Sequence, residues 1–346
     1  MARPPAKHKP APPSASVIVV TYESGPTLAR CLQTLKAQTF RDFELILVDN
    51  ASKDRAAQAA AAADPAVRLI ANTENLGFAA AVNQGARAAG GRWLALLNPD
   101  AYAEPDWLET LMAAAQAHPD VRAFTSRQLM ADDSGRLDGL GDVMAAPGFP
   151  FRGGYGRRDP GDAQLGEVFS PCGGAMMVAR DLFLSLDGFD ERLFCYCEDV
   201  DFGYRLRLAG ERTLVVPDAV VRHEGSASTG GPRSDFAVFH GSRNRFWVFV
   251  KDTPPVLFWL TLPLHVLTTA VLFARHATRG ELKAPMRGLM AGIRDIGVAL
   301  EARREAQAVR KVGSIEIARA MTWNPLDLFL RREVIRRLRP TRRGGA

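Results

Sequence analysis

Short apolar runs alternate with segments whose apolar residues recur at helical spacing through the first third of the chain. Ser16-Val-Ile-Val-Val20, Glu44-Leu-Ile-Leu-Val48, Val67-Arg-Leu-Ile70 and Trp93-Leu-Ala-Leu-Leu97 read as buried parallel strands. Between them, Thr27 to Gln38 carries Leu28, Cys31, Leu32 and Leu35 on one helical face. The Ala-rich stretch Arg55 to Ala63, the segment Ala79 to Ala89 closed by Gly90-Gly91, and Trp107 to Ala117 complete the helices. This alternation predicts an open, mostly parallel α/β sheet over the first 120 residues, with ligands beyond the carboxyl ends of its strands.

The pattern changes after that. Asp132 to Gly166 is rich in Gly, Asp, Pro and Arg and predicts loops with short strands. An apolar element lies within Phe169 to Val178, Glu198 to Ala209 reads as a helix, and Thr213 to Val216 as a late strand. Val256 to Ala274 is apolar and free of Asp, Glu, Lys and Arg over its whole length, although Pro263 and His265 interrupt it. Its length suits a transmembrane span, a re-entrant or interfacial segment, or a core or homodimer helix. Met286 to Leu300 reads as one amphipathic, interfacial helix.

Composition narrows the class. With 47% hydrophobic residues the chain can bury a full core, which excludes wholesale disorder. The formal charge of +6 comes largely from a C-terminal cluster, Arg331, Arg332, Arg336, Arg337, Arg339, Arg342 and Arg343. That cluster suits an anionic lipid surface; it carries no recognisable nucleic-acid motif, so no nucleic-acid partner is expected. Cys31, Cys172, Cys195 and Cys197 lack zinc spacing and read as scattered thiols. The first 15 residues read as a flexible Pro-rich leader without the apolar stretch of a signal peptide, so a cytoplasmic catalytic part is expected. Three parts follow: this leader, a catalytic domain over 16–250 with halves at 16–120 and 121–250, and a helical, apolar-then-basic region over 251–346.

Polar residues at the strand ends carry the candidate chemistry. Neither a Gly-x-Gly-x-x-Gly turn nor a Walker A loop follows the first strand. Asp49, in Asp49-Asn-Ala-Ser-Lys-Asp54, can accept a hydrogen bond from a base or ribose, or serve a helix cap. Asp100, in Asn98-Pro-Asp100, can hold a hard divalent cation that neutralises a departing diphosphate, or close a turn. Glu198-Asp199-Val-Asp201 concentrates carboxylates; Glu198 and Asp201 would share one helical face, and a base for an acceptor hydroxyl belongs here. His223 can ligate a metal or hold a phosphate, and Arg243 offers a cation for a pyrophosphate.

In these residues the chain resembles glycosyltransferase family 2, of the GT-A fold, and within it the bacterial rhamnosyltransferase-type branch. The matching pieces run in order: Ser16 to Tyr22, Val48 to Asp54, Asn75-Leu-Gly-Phe78 with Asn83, Leu97 to Asp100, Gly173-Gly-Ala175, Gly188-Phe-Asp-Glu191, Glu198-Asp-Val-Asp201 and His223-Glu-Gly-Ser226. The resemblance implies an inverting transfer from a nucleotide sugar. Thr21, Glu23 and Asp49 would contact the nucleoside, and Asn75, Gly77 and Asn83 would shape the donor pocket. Asp100 would bind Mg2+ or Mn2+ with His223, since the first position of the DXD-like motif is Asn98. Asp199 would be the base, with Glu198 beside it. The implied donor is dTDP-L-rhamnose, with UDP-linked hexoses as the alternative. The implied acceptor is a glycan or polyprenyl-diphosphate-linked glycan at the cytoplasmic face of a bacterial inner membrane. The competing readings are a sugar-phosphate nucleotidyltransferase, disfavoured by the lack of a basic phosphate loop in Thr21-Tyr-Glu-Ser-Gly25, and an inactive assembly scaffold.

Overall fold

The four apolar runs expected as buried strands stand side by side in one twisted sheet. The computed structural model describes residues 12–225, 231 and 233–338. The first half runs β1 (Ala15–Thr21), α1 (Gly25–Lys36), β2 (Phe43–Asp49), α2 (Ala56–Ala63), β3 (Val67–Ala71), α3 (Phe78–Ala88), β4 (Trp93–Leu97), β5 (Ala101–Ala103) and α4 (Trp107–Ala117). It continues with β6 (Ala123–Met130), β7 (Leu137–Gly139), β8 (Asp142–Ala145), β9 (Phe149–Arg152), β10 (Gly166–Val168), β11 (Ala175–Ala179), α5 (Arg180–Ser185), α6 (Glu198–Leu208) and β12 (Thr213–His223). Six further helices follow: α7 (Asp235–Asp252), α8 (Pro255–Ala277), α9 (Lys283–Arg294), α10 (Ile296–Ala308), α11 (Ser314–Ala320) and α12 (Pro325–Leu330).

The main sheet has the order β10-β12-β6-β11-β4-β1-β2-β3. β1, β2, β3 and β4 pair in parallel, whereas β11 inserts antiparallel between β4 and β6. Residues of β1 and β4 are buried on both faces, which is why they read as continuous apolar runs rather than alternating ones. Each fully buried Val, Leu or Ile there contributes about 1.5–3 kcal/mol. The single sheet crosses residue 120, so the two halves of the expected catalytic domain share one core.

Three elements differ from the expectation. The late strand does not stop at Val216; β12 resumes pairing with β6 at Val220 and reaches His223. Pro217 sits in the interruption, where its missing N–H costs no ladder bond. The expected amphipathic helix over 286–300 is two helices that turn at Asp295. α9 buries Ala284, Pro285, Gly288 and Gly292, and a Cβ at Gly288 would lie 2.3 Å from the Phe239 carbonyl, so small residues let α9 lie directly on α7. α8 runs unbroken through Pro263, which is exposed. The boundary expected at residue 250 falls inside α7, and Arg336 exchanges two backbone hydrogen bonds with Glu167, both 2.8 Å, returning the chain's end to the sheet. The more distal Arg339, Arg342 and Arg343, most of the Pro-rich leader and Ser226 lie outside the described residues.

Candidate active site

A cleft of about 690 Å3 opens beyond the carboxyl ends of β1 and β4, inside the usual size range of ligand sites. β1 delivers Val20 and Tyr22, β4 leads into Asn98-Pro-Asp100, and β12 ends on His223. Gly173 and Gly174 line it from the turn before β11, and α6 brings Glu198 and Asp199 by its first turn.

On one side, Asp100 Oδ1 lies 3.2 Å from His223 Nε2, and both side chains are buried. His223 Nδ1 is 2.8 Å from Asp138, which is ion-paired with Arg152. Burial alone would lower the imidazole pKa, but Asp100 and Asp138 outweigh it and raise the value to about 9. Asn98 Nδ2 lies 3.3 Å from the same His223 nitrogen; a half-turn of the amide would place its oxygen there instead.

This donor set fits a divalent cation. Ligands about 2.1 Å from an octahedral ion stand about 3 Å apart, close to the Asp100–His223 separation. A carboxylate on the remote ring nitrogen, as Asp138 provides, is the usual support for a ligating histidine. The charge balance agrees: Arg152 and His223 are the basic residues among the described lining, and both are already matched, Arg152 by Asp138 and His223 by Asp100 and Asp138. A diphosphate entering that field needs added positive charge.

A second group brings one ligand atom each of Asp142, Cys172 and Asp199 within 4.8 Å of one another. Burial pushes the Cys172 thiol up to about 12, so it stays protonated. Burial and then Asp199 raise the Asp142 carboxyl, while the Arg152 charge opposes them. The thiol holds its proton more tightly than the His223 imidazole does, and a guanidinium lies beside it, so this group is a poorer cation site than Asp100 with His223.

On the other side, Asp199 is oriented by two backbone donors: Gly173 N–H to Oδ2 at 2.9 Å and Val200 N–H to Oδ1 at 2.8 Å. A Cβ on Gly173 would sit 3.1 Å from that of Asp199, and one on Gly174 would sit 3.3 Å from Asn98 Nδ2. The paired glycines thus let the backbone pass between the two halves of the site. Glu198 is buried and its Oε2 has no hydrogen-bond partner. Burial, and after it the charge of Asp199, push its carboxyl well above the ordinary range, which favours its neutral form. Asp201, expected on the same face as Glu198, instead points into the core. Arg205 binds its Oδ2 at 2.7 and 2.9 Å, and Lys251 pairs with its other oxygen. The acidic face is therefore Glu198 with Asp199, because a buried carboxylate at Asp201 is held by cations.

The expected donor residues divide. Asn75 and Gly77 line the cleft, joined by Asn50. Asn50 Nδ2 donates to Asn75 Oδ1 at 2.8 Å, and its Oδ1 accepts from Leu76 N–H at 3.0 Å, fixing that loop. Thr21, Glu23, Asp49, Asn83 and Arg243 are not among its described lining. Thr21 is buried at the end of β1, and Glu23 accepts from Lys53 N–H. Asp49 accepts from Ser52 N–H at 3.0 Å and from Gln58 Nε2 at 2.6 Å, serving its own turn. Asn83 donates to the Phe189 carbonyl at 2.8 Å and accepts from Phe189 N–H at 2.9 Å, which binds two of the recognised sequence pieces to each other. Arg243 donates to the carbonyls of Arg192 and Leu193 rather than facing the cleft.

Asp138, Asp142 and Arg152 were not singled out in the sequence. They lie on or beside short strands of the Gly- and Asp-rich middle segment, where no periodicity marks an inward residue. Their one signal was charge inside short apolar stretches such as Asp142-Val-Met-Ala145.

A family model described as Glycosyl transferase family 2 matches residues 16–184. N-acetylglucosaminyl-diphospho-decaprenol L-rhamnosyltransferase of Mycobacterium tuberculosis (strain CDC 1551 / Oshkosh) is 33% identical over 264 residues, which are 68% of this chain and 83% of that protein. The mannosyltransferase PcManGT from Pyrobaculum calidifontis, solved with GDP-Man and Mn2+, aligns with a TM-score of 0.52 at 21% identity over 86% of each chain. S. aureus TarS 1-349, solved with UDP, aligns with a TM-score of 0.54 at 16% identity over 90% of this chain and 93% of that one. The two structures share the fold, and the identity to the mycobacterial protein carries the family. With its GT-A-type sheet and the carboxylates at its strand ends, the chain belongs to glycosyltransferase family 2 and is a glycosyltransferase.

Proposed function

We propose that this enzyme transfers a sugar from a nucleotide sugar to a glycan acceptor with inversion, and that the donor is dTDP-L-rhamnose. The observation that carries the reaction is the arrangement of the cleft: Asp100 with His223 on one side, Glu198 with Asp199 on the other, and the glycine pair between them. Asp100 and His223 would hold Mg2+ or Mn2+, which when bound stabilises the charge of the departing nucleoside diphosphate. Asn50, Asn75 and Gly77 border the donor side. Asp199, held by two backbone N–H groups, takes the proton of the acceptor hydroxyl as that oxygen bonds to the anomeric carbon. Glu198 keeps its own proton and leaves the negative charge to Asp199.

The sugar and acceptor rest on the mycobacterial relative's name, which supports L-rhamnose and an N-acetylglucosaminyl-diphospho-prenol. The decisive experiment incubates the purified enzyme with dTDP-L-rhamnose, UDP-hexoses and GDP-mannose, a divalent ion, and N-acetylglucosaminyl-diphospho-prenol, and measures nucleoside diphosphate release. Release with dTDP-L-rhamnose alone supports the full reading. Release with another donor moves the specificity, and no release with any donor overturns the activity.

Such an acceptor would place the enzyme at the cytoplasmic face of a bacterial inner membrane. α8 is long and apolar enough to cross a bilayer, with mean hydropathy 1.9, but one stripe of it is bound to the rest of the protein. Leu257, Thr261 and His265 are buried four residues apart, and His265 Nδ1 lies 2.7 Å from the Pro147 carbonyl with its ring stacked on Phe249. Trp259 (69% exposed), Leu260 (68%) and Leu267 (61%) face outward, and no acidic residue occurs between Thr253 and Gly280, where Arg275 and Arg279 lie. A helix so held suits lying in the plane of an anionic surface. The protein is expected to float with vesicles containing phosphatidylglycerol and to be released by alkaline carbonate. Combining Trp259→Glu with Leu267→Glu should cut partitioning at least tenfold, since each apolar side chain contributes about 1.5–3 kcal/mol on burial. Retention after carbonate would mean a spanning helix instead.

A further inference from the structure

The turn leading into α6 is strained. Phe194 (φ 66°), Tyr196 (67°) and Cys197 (68°) all have positive φ, a region that side chains with a Cβ rarely occupy. Phe194, with ψ −69°, is the centre of a γ-turn of the rarer hand, closed by Cys195 N–H to the Leu193 carbonyl at 2.8 Å. Cys197 then caps α6 in the left-handed conformation, and Glu198 and Asp199 follow at once. Such a backbone persists only where its surroundings over-determine it, and these conformations concentrate at functional sites.

The restraint comes from α7. Asn244 is fully buried, and its Nδ2 donates toward three carbonyls of this turn: Leu193 at 2.8 Å, Cys195 at 2.9 Å and Tyr196 at 2.7 Å. An amide has two hydrogens, so the three oxygens share them. Its Oδ1 accepts from Arg243 Nε at 2.8 Å, which fixes the orientation of the amide, and Arg243 reinforces the clamp at the Arg192 and Leu193 carbonyls. From the opposite side, Ala79 N–H donates to the Phe194 carbonyl at 3.1 Å. A Cβ on Gly77 would lie 2.6 Å from that same oxygen. The turn is thus held between α7 and the donor-side loop.

We infer that Asn244 is a positioning residue for the transfer: its amide holds the strained turn that aims Glu198 and Asp199 into the cleft. This rests on the reading of Asp199 as the base. Asn244 touches neither carboxylate; it acts through the backbone it clamps. Loss of its donors lets Phe194 to Cys197 relax toward negative φ, which turns the start of α6 and moves Asp199 away from the acceptor hydroxyl. Misplacement by about 1 Å can cost about a hundredfold in rate.

The test compares Asn244→Asp, nearly isosteric but without the N–H donors, and Asn244→Ala with the wild type in the nucleoside diphosphate release assay. Both are expected to lower kcat about thirtyfold per folded molecule, with the donor KM changed less than threefold. Adding Cys197→Gly to Asn244→Ala should recover at least fivefold of the lost kcat, because glycine adopts positive φ freely. This double variant is assayed alone should the single ones not fold. Wild-type kcat in any folded variant carrying a change at Asn244 alone, a rise in donor KM with kcat intact, or no gain from Cys197→Gly would each overturn the inference. Asp199→Asn in the same assay separates the two readings. If it is inactive while the Asn244 variants are active, the positioning role alone fails; if it is fully active, the base assignment fails.

Discussion

Asp199→Asn is expected to lower kcat about 10³-fold and to leave the donor KM within a few-fold, as measured by nucleoside diphosphate release at saturating acceptor. The substitution is nearly isosteric and can keep one of the two backbone hydrogen bonds, from Gly173 or Val200, so the turn around it should hold. What is lost is the proton acceptor. General bases contribute about 10²–10⁴-fold, and nothing else in the described lining replaces this one well. Glu198 is its neighbour, but burial and the adjacent charge raise its carboxyl and favour the neutral form. Glu198→Gln should therefore cost only about tenfold, since a neutral carboxyl is exchanged for a neutral amide of similar shape. The reverse order, with Glu198→Gln the more damaging, would exchange the two roles. Asp142 is a weaker alternative, because it too is buried and raised.

How legible was this site beforehand? The strand ends were readable because parallel strands buried on both faces leave a continuous apolar signature, and the polar residue that breaks it marks the ligand edge. That logic pointed to Asn98, Asp100 and the loop carrying Asn75 and Gly77, all of which line the cleft. It also pointed to Asp49 and Arg243, whose residue types suit nucleotide contacts; they bond a glutamine on the next helix and a pair of carbonyls and are not among the described cleft lining. Asp201 shows the limit of helical spacing: its three-residue offset from Glu198 is compatible with a shared face, but Arg205 and Lys251 draw it into the core. Asp138 and Arg152 were hidden for another reason. They act through pairing across a long stretch of chain, His223 with Asp138 and Asp138 with Arg152, and no local pattern encodes a partner 85 residues away. In the fold, helix starts shifted by a residue or two, and the turn at Asp295 was invisible because apolar residues continue at helical spacing through it.

Removal of divalent ions should be the second large effect, with diphosphate release falling about 10²–10³-fold on chelation and returning with Mn2+ or Mg2+. The argument starts from charge. A nucleoside diphosphate must enter a cleft whose described basic residues, Arg152 and His223, are already matched by Asp138 and Asp100, so little positive charge is left for it. Asp100→Asn keeps the shape of the site and removes one anionic ligand, so it should weaken Mn2+ binding measured by calorimetry and lower kcat by a similar factor. Asp138→Asn is the more discriminating variant. Asp138 is 2.8 Å from His223 Nδ1 and touches the cation site only through that ring. Loss of such a partner typically weakens metal binding about 10–100-fold. A site that used His223 only as a proton-bearing contact to phosphate would respond differently: Asp138→Asn would change the pH dependence of kcat and leave Mn2+ affinity alone. Activity unchanged by exhaustive chelation would remove the cation from the reaction and leave His223, with its raised pKa, as the charge that meets the diphosphate.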